Sequence, residues 1–359
     1  MPLMDESWKL RNGMVIPNRS VLAAMTNKQS HDDGTLSNEE IRFLVRRAEG
    51  GFGLITTAAS HVQEIGQGWE GEFGVWGEHH LPGLTSLASQ LKEHACKSFV
   101  QIFHGGMRAP SSITGVQACS ASENFISESE GYSRSLELRE VEETISCFIR
   151  AAKRCEEAGF DGVELHGAHG YLIAQFLGSN TNRRKDAYGG DVEQRCAFLL
   201  RIVRGIREVV SDDFAIMVRL SPVSDEIGIT AEDTNRVIDL LIDERIDAIH
   251  ISCWDVFEKH GETTMTKEIC TRFGDRIPII STGSVWTAED AQFVLDQGAQ
   301  AVGVARVALP HPDWASHVSE STYNPSRPPF APEELLTARL SPTFVDYMRR
   351  WSGFVTDGR

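Results

Sequence analysis

The chain has 359 residues and a formal net charge of −16, from 35 Lys and Arg against 51 Asp and Glu. Such a surface repels phosphate backbones and anionic lipids, which argues against nucleic-acid and membrane partners. Its seven cysteines form no C-x-x-C pair, which argues against a disulfide framework or zinc site and for a reducing, cytoplasmic setting.

Taken in order, the chain opens with MPLMDESWKLRNG, which has no basic region followed by an apolar run, so no signal peptide is expected. Nowhere does an apolar run approach a membrane span. Asn12-Gly13 between short apolar segments in residues 8–18 predicts a hairpin. SVLAAM (20–25) reads as a strand. Ser37 to Glu40 reads as a capping box, opening a helix with Ile41, Leu44, Val45 and Ala48 on one face. GLITT (53–57) is a strand, Leu81 to His94 a helix and SFVQIF (98–103) a strand. Residues 105–138, rich in Ser, Gly and Glu, are long for a loop and read as an excursion over a ligand site. Val141, Ile145, Phe148 and Ala152 mark a helix ending at Gly159, followed by the VELH strand. Leu199 to Val210 is helical, and FAIMVRL (214–220) is a strand. Thr230 to Asp233 and Thr287 to Asp290 cap two further helices, and a third is predicted over Thr263 to Phe273. IDAIHIS (246–252), IPIIST (277–282) and QAVGVA (300–305) complete eight apolar strands alternating with helices. That rhythm favours one closed (β/α)8 barrel, a TIM barrel, over an open sheet. No G-x-G-x-x-G follows an early strand, which argues against a dinucleotide-binding Rossmann domain. The barrel is expected over about 19–320, with a Pro-rich, partly helical tail over 321–359, all within a single unit 1–359.

The chemistry concentrates between Gly159 and Gly190. His166, His169 and Tyr171 fall within six residues at and just past a strand end, where a barrel of this kind binds its ligand. A metal-ligand reading of the two histidines lacks a third Cys, His or carboxylate at a matching spacing. Arg219 closes an apolar strand, a costly place for a charge unless it has a partner.

ELHGAHGYLIAQFL followed by NTNRRKDAYGGDVEQR resembles the Old Yellow Enzyme family of flavin-dependent ene-reductases, and the likeness extends over most of the chain. Asp191 and Gln194 stand where that family usually has Ser and Asn. The resemblance implies non-covalent FMN, reduced by NADH or NADPH and reoxidised by a small electron-poor acceptor, an α,β-unsaturated carbonyl or nitro compound. It implies that His166 and His169 bind the acceptor's oxygen, that hydride leaves flavin N5, and that Tyr171 gives a proton to the α-carbon. It assigns Arg219 to N1 and the C2 carbonyl of the flavin and Gln101 to the pyrimidine ring. It lays the backbone of Ala23, Ala24, Met25 and Thr26 against the ring system, with Thr26 tuning its potential, and puts Ala59 nearby. Gly283 and Ala305-Arg306 take the phosphate. Ala24 replaces a usual Pro, Ala58 a usual Glu and Met107 a usual Arg, with Arg108 available to compensate.

Two rivals stand beside this reading. One is a metal-dependent barrel hydrolase with His166 and His169 as ligands; the other is a flavin-binding protein without turnover. Relatives with an iron–sulfur cluster need closely spaced cysteines beyond the barrel, and none follows Cys270. Arg219 could also sit in a salt bridge and Gln101 in an internal hydrogen bond. His61, His104 and His250 are read as structural, Trp69 and Trp76 as packing or substrate contacts, and Cys253 as lying near the barrel mouth. The physiological acceptor, the choice between NADH and NADPH and any homo-oligomer are left open.

Overall fold

The computed structural model describes residues 3–356, so the first two and last three residues of the single-unit reading lie outside it. Eight parallel strands close into a barrel: β1 (Ser20–Leu22), β2 (Leu54–His61), β3 (Lys97–Phe103), β4 (Gly162–Gly167), β5 (Ala215–Leu220), β6 (Ala248–Ser252), β7 (Ile279–Thr282) and β8 (Ala301–Val304). Each pairs with the next, and β8 returns to β1 through Val302 with Ser20 and Val304 with Leu22. The surrounding helices are α1 (Asn38–Glu49), α2 (Leu81–Lys92), α3 (Leu138–Ala158), α4 (Val192–Val209), α5 (Ala231–Asp243), α6 (Met265–Phe273), α7 (Ala288–Asp296) and α8 (Trp314–His317). Among the described residues no helix is long and apolar enough to cross a membrane.

Strand alternation divides the core in two. Outward residues pack under the helices. Inward residues Val21, Leu54, Phe99, Ala215, Met217, Ala248, Ile280 and Ala301 fill the lower barrel, where Trp8, Leu10 and Ile16 of the predicted hairpin meet them as a plug. Above this apolar layer the barrel interior turns polar.

Several elements differ locally from expectation. β1 stops at Leu22, although the Ala23 amide still donates to Val304 O at 2.9 Å. β2 runs on to His61 through a register shift between Thr56 and Ala59, so Ala59 lies within the strand and pairs with Gln101 rather than following the strand. The capping box at α1 is half made. Ser37 accepts from the Glu40 amide, but the Glu40 carboxyl turns inward to Asn27 and Ser30, where burial pushes its pKa up to about 7. Helix α6 starts at Met265 because Thr263–Thr264 pair with Lys259–His260 and Thr264 caps the helix. At α4 the unusual pair Asp191 and Gln194 makes a complete capping box, so these two departures keep the helix start intact.

The excursion after β3 is ordered into two small ribbons, Cys119–Ser120 with Arg134–Ser135 and Phe125–Ser127 with Gly131–Tyr132. Arg184 holds it through the Ala121 and Leu136 carbonyls at 2.9 and 2.6 Å. Asn182 clamps its own turn by donating to Phe176 O and Tyr188 O, both at 2.7 Å. The tail forms two short helices, Pro332–Thr337 and Pro342–Met348. Phe344 sets its ring edge-on to Phe43 of α1 at 5.2 Å, and buried Arg47 ties Ala308, Leu309 and Ala338 together through their carbonyls.

Candidate active site

A cavity of about 580 Å3 opens at the C-terminal rim of the barrel, the usual ligand face of this fold. Ala24, Met25 and Thr26 after β1, Arg219 on β5, Ser252 to Trp254 at the end of β6, Thr282 to Trp286 at the end of β7 and Ala305-Arg306 after β8 form its wall.

Arg219 is 5% exposed. Its Nη1 donates to Ala24 O at 3.3 Å and its Nη2 to Ser252 Oγ at 3.1 Å, while its Nε is buried without a partner. The salt-bridge alternative is therefore not what holds it. Burial lowers its pKa and the nearby Glu164 charge raises it, but a guanidinium starts so high that it stays a cation. Such a group, with a spare donor beside a cavity, suits an electron-rich or anionic ligand atom.

His166, His169 and Tyr171 come together as expected. The two imidazole centroids are 5.0 Å apart, and His166 and Tyr171 are 4.9 Å apart, both edge to face. His169 lies on the cavity wall, with His166 and Tyr171 beside it and behind it. Burial first, then the neighbouring His169 and Arg219, hold the His166 pKa well below its usual range, so the ring is neutral. The Ala168 amide donates to its Nδ1 at 3.3 Å, which puts the proton on Nε2. Solvent reaches His169 through the cavity, yet protein encloses it on its other sides; burial and Arg219 push its pKa down to about 3. Its Nε2 lies 2.8 Å from Ser252 Oγ, which already accepts from Arg219. Ser252 Oγ, with one proton and two lone pairs, can pair with either tautomer of neutral His169. His166 thus offers its Nε2–H. The His169 backbone is left-handed at φ 59, an uncommon conformation that turns the chain sharply between the strand end and Tyr171.

Tyr171 packs against Phe103 and Trp69, with centroids at 5.0 and 6.4 Å. Burial, with a smaller contribution from Glu72, pushes its pKa up to about 12, so the phenol keeps its proton at neutral pH. Arg108 reaches this group from the Gly106–Arg108 turn, 6.0 Å above the ring, whereas Met107 is buried. Trp76 instead meets His79 and His80 edge to face, a packing role.

Gly283, Ala305 and Arg306 line one end of the cavity together with Ser284. Gly283 has φ 156, and a Cβ there would lie 2.6 Å from the Cys253 carbonyl oxygen. Only a glycine lets the backbone close in here. Ala23, Ala59 and Gln101 sit behind the wall; Gln101 makes the internal bond considered from sequence, 2.5 Å to Glu164. Cys253 lies on the wall, as placed from sequence. What the sequence did not reveal is the far wall: Arg327, Phe344, Tyr347, Met348 and Trp351 from the tail. A second chamber of about 290 Å3 opens on the other side of His169 and Trp254, lined by Asp225, Asp255 and Glu258. Among the described residues no group of three His, Cys, Asp or Glu could hold a metal ion, so the rival metal site finds no third ligand.

The model of the NADH:flavin oxidoreductase / NADH oxidase family matches residues 7–324. The chain belongs to this family. It is 35% identical over 325 residues to a probable NADH-dependent flavin oxidoreductase of Bacillus subtilis, YqiG, covering 88% of this chain and 87% of that one. It is 33% identical to an NADH oxidase of Thermoanaerobacter brockii over 88% of its own length, and spans 50% of that longer protein. Its fold is that of an Old Yellow Enzyme homologue from Zymomonas mobilis, with a TM-score of 0.81, 24% identity and coverage of 96% and 98% of the two chains. This flavin oxidoreductase therefore works with FMN and takes electrons from NADH or NADPH. The residues present fit that cofactor: the unpartnered Nε of Arg219 supplies a buried cationic donor at the cavity wall.

Proposed function

We propose that the protein reduces activated alkenes, α,β-unsaturated carbonyl or nitro compounds, at the rim where His166, His169 and Tyr171 converge. The observation that carries this reading is the meeting of two neutral imidazoles with a phenol that burial keeps protonated to about pH 12. Arg219, Ala24, Met25 and Thr26 would hold the flavin ring, backed by Ala23, Ala59 and Gln101, and Gly283, Ala305 and Arg306 its phosphate. FMN, when bound, takes hydride from NADH or NADPH and supplies it to the acceptor. His166 Nε2–H, joined by His169 in the tautomer that carries its proton on Nδ1, draws charge onto the acceptor's oxygen, which makes its β-carbon electrophilic. Tyr171 then places a proton on the α-carbon as general acid. The carboxylates of the side chamber disfavour anionic substituents there, which supports neutral acceptors.

Stopped-flow kinetics of Tyr171→Phe test this. Flavin reduction by NAD(P)H should be nearly unchanged, and enone reduction should slow by about 10²-fold or more, the usual cost of a lost general acid. Equal slowing of both half-reactions would show that Tyr171 binds or packs and does not donate the proton.

A further inference from the structure

Beneath the cavity, four side chains form a hydrogen-bonded chain across the barrel interior. Gln101 Nε2 donates to Glu164 Oε1 at 2.5 Å; Glu164 Oε2 lies 2.7 Å from His250 Nδ1; His250 Nε2 lies 2.5 Å from Thr282 Oγ1. Glu164 on β4 and His250 on β6 are not on neighbouring strands, so they can meet only inside the barrel. The chain depends on Gly303, where a Cβ would overlap the Thr282 hydroxyl and come within 3.0 Å of His250 Nε2. Thr282 is part of the cavity wall.

Burial raises the Glu164 pKa, but His250, Arg219 and Gln101 outweigh it and hold the carboxyl below its usual range. An ionised carboxylate only accepts, so His250 Nδ1 carries a proton and donates. Burial lowers the His250 pKa against the pull of Glu164, so the ring is neutral and its Nε2 accepts from the Thr282 hydroxyl. The Thr282 hydroxyl at the cavity wall therefore points down to His250. With its nitrogen pinned to Glu164, the Gln101 amide keeps its carbonyl oxygen, the complement of a ligand N–H, and its second amide hydrogen. Arg219, in turn, makes no ion pair among the described residues; Glu164 is the charge that acts on it through space.

We propose that Glu164 is a positioning residue for the cofactor, with two separable effects. It orients the Gln101 amide so that the carbonyl oxygen faces the flavin. Its charge offsets that of Arg219 and holds the flavin's reduction potential below the value Arg219 alone would set. The inference rests on the flavin site proposed above.

Two variants separate these effects. Glu164→Gln keeps the shape and removes the charge; Glu164→Asp keeps the charge and draws it away from Gln101. Potentials are read against reference dyes, and FMN dissociation by fluorescence. Glu164→Gln should favour reduced over oxidised FMN at least tenfold more than wild type does, an upward shift of about 30 mV for a two-electron couple. Glu164→Asp should leave the potential unchanged and bind oxidised FMN at least tenfold more weakly. A wild-type potential in Glu164→Gln, or equal shifts in both variants, would overturn the inference. Should Glu164→Gln fail to fold, an altered potential in Glu164→Asp would overturn it alone. Wild-type protein that took up FMN but placed it away from Arg219, seen as unchanged binding in Arg219→Leu, would overturn the flavin site itself.

Discussion

Arg219→Leu offers the most direct test of the flavin site. The side chain is 5% exposed and has one donor, Nε, without a partner. A hydrogen bond from a charged donor contributes about 1.5–3 kcal/mol net. With tenfold per 1.4 kcal/mol, losing it should weaken oxidised FMN roughly 10- to 100-fold. Reduced FMN should suffer more, because the cation also meets added negative charge, so the potential should fall. Glu164 adds a pH dependence. Arg219, after His250, helps hold Glu164 below its usual carboxylate range against burial, so losing Arg219 moves the Glu164 pKa up. Above that raised pKa the variant presents an uncompensated anion to the reduced flavin; below it, a neutral acid. The gap in potential between wild type and variant should therefore widen as pH rises. Arg219→Lys, which keeps the charge without the planar fork, should recover most of the potential but not the affinity. Fluorescence titration and dye-referenced potentiometry from pH 6 to 9 are the assays. FMN binding within twofold of wild type, with a gap that does not vary with pH, would refute the argument.

Gly283→Ala should lower FMN affinity through the phosphate end, because its new Cβ meets the Cys253 carbonyl; strain of about 1–3 kcal/mol should show as a lower melting temperature of the FMN-free protein. A variant with wild-type melting and binding would mean that this backbone is free to move. The pH profile of acceptor reduction should have no break between about pH 5 and 10, since His169 titrates near 3, His166 well below its usual range and Tyr171 near 12. A break near pH 6.5 that vanishes in His169→Ala would show a charged imidazole in the working enzyme.

The barrel was legible because each strand is an apolar run and each helix keeps a one-sided apolar face. The NTNRRKDAYGG stretch was legible for a different reason. Asn182 and Arg184 fasten a turn and the excursion through backbone carbonyls, a demanding geometry that leaves a distinct sequence pattern. Two features stayed hidden. Glu164, His250 and Gln101 sit on three separate strands, and only barrel closure tells which inward positions meet; in the sequence, His250 looks like an isolated histidine in an apolar run. The tail was hidden because its helices carry no motif and reach the cavity by packing on α1. Trp351 is the clearest case: 37% exposed, it meets Tyr347 edge-on at 5.2 Å at the cavity mouth, with Arg350 5.0 Å above its ring. A side chain that open contributes little to folding, about 0.5–1.5 kcal/mol through the aromatic pair. Its place on the cavity wall instead suggests contact with whatever fills the mouth. Trp351→Ala should therefore raise KM for NAD(P)H or the acceptor several-fold and leave the melting temperature within a few degrees. A clear loss of thermal stability with both KM values unchanged would return the tail to a purely structural role.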